Sequence, residues 1–307
     1  MSAIRIALFL LDRKNDYQSL MQADAEHVAR RLGVQVTVSY AELSTEAQIR
    51  QIRAALAQHE TVRPQAILVC PVSEMALMTL VHDAARLGVA WVMLSRWNDA
   101  IVEFRRQYAK VPIFAVLPDH VEIGRIQGKQ LRLMLAPGDE LVYIQGPIST
   151  FSTRRRLLGI EGELSDKHDF RWSHFNADWS EAGGRAAMAS WLSTFTTGVV
   201  PEFVLAAQND SMAMGARQAV LDLRHSGKRV VLRPLRVLGC DGAPRYGQRL
   251  VNEGQLQATV VIPPIAGRAI EEVVTAFRTL RQPAAEIAIS VRSHPDLSTL
   301  VRGGHPG

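Results

Sequence analysis

The chain has 307 residues, 47% of them hydrophobic and 21% charged, a globular composition long enough for two cores, which excludes a disordered or fibrous protein. The net charge is +5, but basic and acidic residues are interspersed and only Arg154-Arg155-Arg156 forms a tight run, which argues against a nucleic-acid partner. No stretch reaches the roughly 18 consecutive apolar residues of a membrane span.

In chain order, strand and helix patterns alternate. The apolar run IRIALFLL is a strand, followed by helical spacing over Leu20 to Leu32 that Gly33 closes. VQVTVSY is a second strand, Gln48 to Leu56 a helix, and QAILVCPV a third strand. Met75 to Leu87 is helical, and VAWVMLS is a fourth strand. Such apolar strands separated by helices predict a parallel sheet covered on both faces. A second series follows: a helix over Val121 to Leu135, the strand ELVYIQG, a helix from Thr153 to Leu164, the strand RWSHFNA, and a helix from Ala182 to Phe195. Then come the strand FVLAAQ, a helix from Ser211 to Ser226, the strands LRVLGCDG and QATVVI, and a helix from Ala266 to Leu280. The fold class is α/β, with two doubly wound parallel units in succession.

Open α/β sheets bind ligands at the carboxyl ends of their strands. That rule selects the loops Asp12 to Gln18, Ser73 to Met75, Ser95 to Asn98, Gly146 to Arg154, Ala177 to Ser180, Gln208 to Asp210 and Cys240 to Ala243. No dinucleotide or nucleoside-triphosphate loop and no nucleophile elbow is present. The nine histidines are scattered, with no metal-ligand spacing. Cys70 and Cys240 each end a strand and read as core filler. No cofactor, no metal and no catalytic residue is indicated, so the expectation is a binding protein, not an enzyme.

What the selected loops hold is amides, acids, arginines and aromatic plates: Asn15 and Tyr17, Arg96, Arg154, Trp179, Asn209 and Asp241. A sugar suits that set, because its C–H faces stack on rings while its hydroxyls donate to and accept from charged and amide groups. Each residue also has a plainer reading: Trp179 as half-buried packing, Asn209-Asp210 as a helix cap, Asp241-Gly242 as a turn, and Arg154 as a solvated helix residue.

The chain resembles the type 1 periplasmic binding proteins, especially the ribose and related sugar-binding group that serves ABC transporters. The resemblance runs over nearly the whole chain, through NDYQSLMQADAEHVARRLG, PVSEMALMTLVHDAARLGVAWVML, HVEIGRIQGKQL and LVYIQGPISTFSTRRRLLGIEGEL. AAQNDSMAMGARQAV and LGCDGAP are its most specific segments. It implies two lobes joined by a three-crossing hinge, residues 1–117 plus 262–288 and 118–261 plus 289–307, closing on a small polar ligand. It implies ligand contacts at Asn15, Tyr17, Arg96, Arg154, Trp179, Asn209 and Asp241, and a monomer that hands its ligand to a membrane permease. A ligand sensor signalling to a kinase or receptor is the alternative. The family places the protein in the periplasm; the start, Met1 to Asp12, has no secretory-leader pattern, which leaves a removed leader or a cytoplasmic location. Ser95 stands where sugar binders usually carry Asp, and Gln18 where they carry a second aromatic. The resulting shortage of acceptors beside retained arginines suggests a ligand with an anionic group.

Overall fold

The computed structural model describes residues 3–195, 198–225, 230–231 and 235–300. The chain divides into two compact units, Met1–Pro118 with Pro263–Ile289, and Asp119–Ile262 with Ser290–Gly307.

The first pass through unit 1 runs β1 (Arg5–Leu10), α1 (Asp16–Leu32), β2 (Gln35–Tyr40), α2 (Thr45–Leu56), β3 (Ala66–Val69), a 3-10 turn at Met75–Leu77, α3 (Met78–Arg86), β4 (Ala90–Leu94), α4 (Ala100–Gln107) and β5 (Ile113–Pro118). The chain then builds unit 2: α5 (His120–Met134), β6 (Glu140–Gln145), α6 (Phe151–Leu164), β7 (Arg171–Asn176), α7 (Glu181–Ser193), β8 (Gly198–Val199), β9 (Phe203–Ala207), α8 (Asp210–His225), β10 (Val230–Val231), β11 (Arg236–Leu238), α9 (Gly247–Asn252) and β12 (Thr259–Val261). It returns to unit 1 for α10 (Ala266–Thr279) and β13 (Glu286–Ile289), and to unit 2 for β14 (Arg292–His294) and a 3-10 turn at Leu297–Thr299.

In unit 1 one sheet runs in the order β13-β5-β4-β3-β1-β2, and every pairing is parallel. Every residue of β3, β4 and β5 is buried, whereas the edge strands β2 and β13 are mostly exposed or half-buried. Helices on both faces require that difference. Three of these elements, α4, β5 and β13, escape the sequence pattern. The strand β5 ends on Pro118 and follows the charged stretch Trp97 to Pro112, which itself contains α4. The short edge strand β13 has too little apolar run to stand out beside long helices. Helix α1 is capped at both ends: the Asn15 Oδ1 accepts from the Gln18 amide at 3.1 Å, and Gly33 takes the left-handed conformation at φ 68°. Only a residue without Cβ adopts that angle cheaply.

Unit 2 is built on the parallel sheet β11-β9-β6-β7. Alternate residues of β6 feed opposite cores. Val142 and Ile144 pack with Met188, Trp191 and Val220, while Leu141 and Tyr143 pack with Leu131 and Ile160. The QATVVI strand is present but lies outside the four-stranded ladder. As β12 it pairs antiparallel with β14 and touches the end of β11 only through single bridges at Leu238 and Asp241. The sequence pattern also passes over α9 and β14, both too short to show a period. Ser226, the last residue of the expected α8 helix, lies outside the described residues.

Candidate functional site

In unit 1 the carboxyl ends of β1, β3 and β4 carry the polar side chains. Two buried glutamines fasten the loops. Gln18 accepts from the Leu11 amide at 3.0 Å and points its Nε2 at the Cys70 Sγ, 3.9 Å away. Gln48 donates to the Cys70 carbonyl at 3.0 Å and accepts from the Val72 amide at 2.9 Å. Position 18, expected to be aromatic by resemblance, is thus a loop clamp. Of the predicted contacts, Asn15 caps α1, and the Tyr17 hydroxyl donates to the Pro263 carbonyl at 3.1 Å. Arg96 is buried and its Nη1 donates to the Glu74 Oε1 at 3.2 Å. Ser95 before it has φ 60°.

In unit 2 the ends of β6, β7, β9 and β11 do the same work. The Gln208 Oε1 accepts from the Gly146 amide at 3.2 Å, and its Nε2 donates to the Thr153 carbonyl at 3.2 Å. Arg154 is exposed and closes its own loop, donating to the Ser149 carbonyl at 2.6 Å and the Ile148 carbonyl at 3.3 Å. The arginine drawn inward is Arg156, only 6% exposed. It donates to the Gln208 carbonyl, its Nη1 lies 3.5 Å from the Cys240 Sγ, and its Nη2 lies 3.8 Å from the Asp241 Oδ1. Its guanidinium carbon stands 5.7 Å from the centroid of the Trp179 ring.

Trp179, at φ 70°, packs its ring over the backbone of Gly146, where a Cβ would come within 2.1 Å of it. Asn209 is 2% exposed. Its Oδ1 accepts from the Met212 amide at 2.8 Å, capping α8, and its Nδ2 donates to the Trp179 carbonyl at 2.9 Å. The structure therefore joins Trp179 to Asn209 and brings Asp241 to Arg156, while Arg154 is exposed and bonded to its own loop.

Asp210 is buried, only 2% exposed. Its carboxylate accepts from the Gly242 amide at 2.8 Å and the Thr259 hydroxyl at 2.7 Å. Burial, and secondly the nearby Asp241, push its pKa well above the ordinary carboxylate range. Burial likewise pushes the Cys240 thiol up to about 12 and raises that of Cys70. Neither sulfur is the thiolate that covalent chemistry needs. Among the described residues no three His, Cys, Asp or Glu side chains are grouped to hold a metal ion. No helix there is long and apolar enough to cross a membrane.

Among the described residues, three of the six non-glycine positions at positive φ, namely Ser95, Trp179 and Asp241, fall on these strand-end loops. Backbone strain of this sort concentrates at ligand sites because it aims particular side chains. Sequence reasoning missed Glu74, Arg156 and Gln208. Arg156 was findable, since it lies at helical spacing between the apolar-face positions Thr153 and Ile160. Glu74 lay in a selected loop, but nothing local marks it. Its significance comes from Arg96 on the neighbouring strand.

Parallel α/β units that gather donors, acceptors and an aromatic plate at their sheet ends define a ligand-binding protein. The chain belongs to the periplasmic binding protein domain family, whose profile matches residues 6–276; it is a solute-binding protein and not an enzyme. It is 26% identical over 261 residues to a D-ribose/D-allose-binding protein of Pseudomonas aeruginosa, covering 83% of this chain and 76% of that one. Its fold is that of an ABC transporter periplasmic solute-binding protein from Actinobacillus succinogenes 130z with bound D-allose (TM-score 0.80, 21% identity, 96% of this chain and 98% of that one). It is equally that of the periplasmic binding protein of the arabinose ABC transporter from Shewanella sp. ANA-3, bound to α- and β-L-arabinofuranose (TM-score 0.80, 19% identity, 96% and 93% covered).

Proposed function

We propose that the chain binds a neutral sugar or sugar-like polyol in the periplasm and, as a monomer, delivers it to an ABC-type permease. Asn15, Tyr17 and Arg96 of unit 1 and Arg154, Trp179, Asn209 and Asp241 of unit 2 contact the ligand, with Arg156 and Glu74 beside them. The observation that carries this reading is charge balance at the two buried arginines of the sheet ends. Arg96 is matched by Glu74 at 3.2 Å and Arg156 by Asp241 at 3.8 Å, each arginine largely buried. An arginine already neutralised by a carboxylate keeps its N–H donors, and the carboxylate adds acceptors, so the pair suits hydroxyls and offers little net attraction to an anion. This reading departs from the sequence-based suggestion of an anionic ligand, which rested on the shortage of acceptors, with Ser95 in place of an acid, beside the retained arginines.

The test is a thermal-shift screen over pentoses, hexoses, polyols and their acids and phosphates. A neutral ligand at about 100 times its Kd should add roughly 2.7 kcal/mol of stability. Stabilisation by a sugar acid or phosphate alone would refute the neutral-ligand reading.

A further inference from the structure

We propose that Glu74 is a specificity-determining ligand contact, acting with Arg96 to recognise two adjacent hydroxyls of the solute; this rests on the sugar-binding reading above. Glu74 follows β3 and Arg96 follows β4, and these strands are direct neighbours in the sheet, so both side chains emerge at the same carboxyl edge. The Glu74 side chain is 20% exposed and that of Arg96 8%. The pair is therefore sheltered enough for its hydrogen bonds to be strong, yet the carboxylate is not sealed from an incoming molecule. Only the Oε1 of Glu74 is engaged by Arg96, and among the described residues no hydrogen bond reaches its Oε2.

A carboxylate oxygen with free lone pairs beside a guanidinium offers an acceptor next to a donor. Vicinal hydroxyls offer the complement: one donates to the Glu74 Oε2 while its neighbour accepts from the Arg96 fork. Arg96 cannot supply this alone, because a guanidinium has no acceptor. The half-buried charge also makes the contact discriminating. A solute lacking either hydroxyl leaves the carboxylate or the guanidinium desolvated without a partner.

The experiment uses the whole chain and whichever neutral sugar or polyol of the screen binds most tightly, measured by calorimetry. Glu74→Gln should weaken binding about 10- to 100-fold, the range expected for a hydrogen bond to a charged group. Glu74→Ala should weaken it at least as much. Position 95 offers a second place for the acid: it adjoins Arg96, and its φ of 60° is one that Asp tolerates better than most residues. Adding Ser95→Asp to Glu74→Ala should recover most of the lost affinity. The deoxy analogues should show the same dependence, with Glu74→Gln costing much less for the analogue missing the hydroxyl that Glu74 meets.

Wild-type affinity in Glu74→Gln and Glu74→Ala overturns the proposal. So does a loss equal for the parent sugar and every deoxy analogue and not recovered by Ser95→Asp, since Glu74 would then only hold Arg96 in place. A wild-type chain that binds no neutral sugar or polyol overturns the sugar-binding reading itself, and this assignment with it. Unaltered melting of the unliganded variants separates lost contact from lost fold.

Discussion

Asp210→Ala is expected to destabilise unit 2 by roughly 3–5 kcal/mol, since it leaves two buried donors without acceptors at about 1–3 kcal/mol each and a cavity besides. The donors are the Gly242 amide and the Thr259 hydroxyl, both within 2.8 Å of the carboxylate. The neighbouring chain is built around that group: a Cβ on Gly239 or Gly247 would come within 2.1 Å of an Asp210 oxygen. Asp210 thus ties the start of α8 to the Asp241-Gly242 turn, whose φ values of 95° and 55° need outside support. Hydrogen exchange should show protection falling first in the turn at 239–243 and in β12, with unit 1 unchanged. Uniform loss across the chain, or none, would refute the assignment.

Asp210→Asn isolates the charge. Its shape fits, and the Thr259 hydroxyl can rotate to accept from the new amide. The folded pKa of Asp210 is raised, first by burial and then by Asp241. Its contribution to stability is therefore complete below the unfolded carboxylate pKa of about 3.9. It is lost as pH rises through the higher folded value. The melting temperature of the wild type should accordingly fall relative to Asp210→Asn as pH increases from about 4. A difference that stays constant across pH 4 to 8 would mean that the folded acid titrates normally.

The second large effect lies at the crossing of α5 and α6. A Cβ at Gly159 would stand 2.1 Å from the Val121 carbonyl oxygen and 2.8 Å from the Arg125 amide nitrogen; one at Gly124 would stand 1.9 Å from the Arg156 carbonyl oxygen. These obstacles are backbone atoms of the facing helix, so relief requires the helices to separate. Overpacking of this sort costs about 1–3 kcal/mol and sometimes more. Gly159→Ala is expected to cost roughly 2–4 kcal/mol, about 5–15 °C in Tm for a unit of this size. Because α6 also carries Arg156, the same change should weaken ligand binding.

One turn further along that helix, a Cβ at Gly162 meets nothing within 4 Å. Gly162→Ala should therefore stabilise by roughly 0.5–1 kcal/mol through helix propensity alone. Denaturant titration of the two variants checks the contrast. Equal effects at positions 159 and 162 would show that the close crossing does not exist in solution.

Much of this was legible along the chain because it depends on neighbours in sequence. The apolar runs of β3 and β4 are strands whatever surrounds them, Gly33 ends α1, and Asn209 caps α8. Capping and packing turn out to occupy several residues that chemistry alone would have given to a ligand: Asn15 and Asn209 each spend an oxygen on a helix amide. The plain and the functional readings of such residues are compatible, since a capped helix start at a strand end is also how a polar side chain is held still.

The sequence by itself determined the α/β class, the succession of two wound units and which loops gather polar groups, because periodicity and turn chemistry act over a few residues. Only the tertiary structure decided which charges meet. Glu74 and Arg96 belong to different strand-helix connections, Arg156 and Asp241 to different halves of unit 2, and their pairing follows from strand order in the sheets. Electrostatics falls off with distance in space and is indifferent to separation along the chain. The charge a ligand meets was therefore set by the order of the strands.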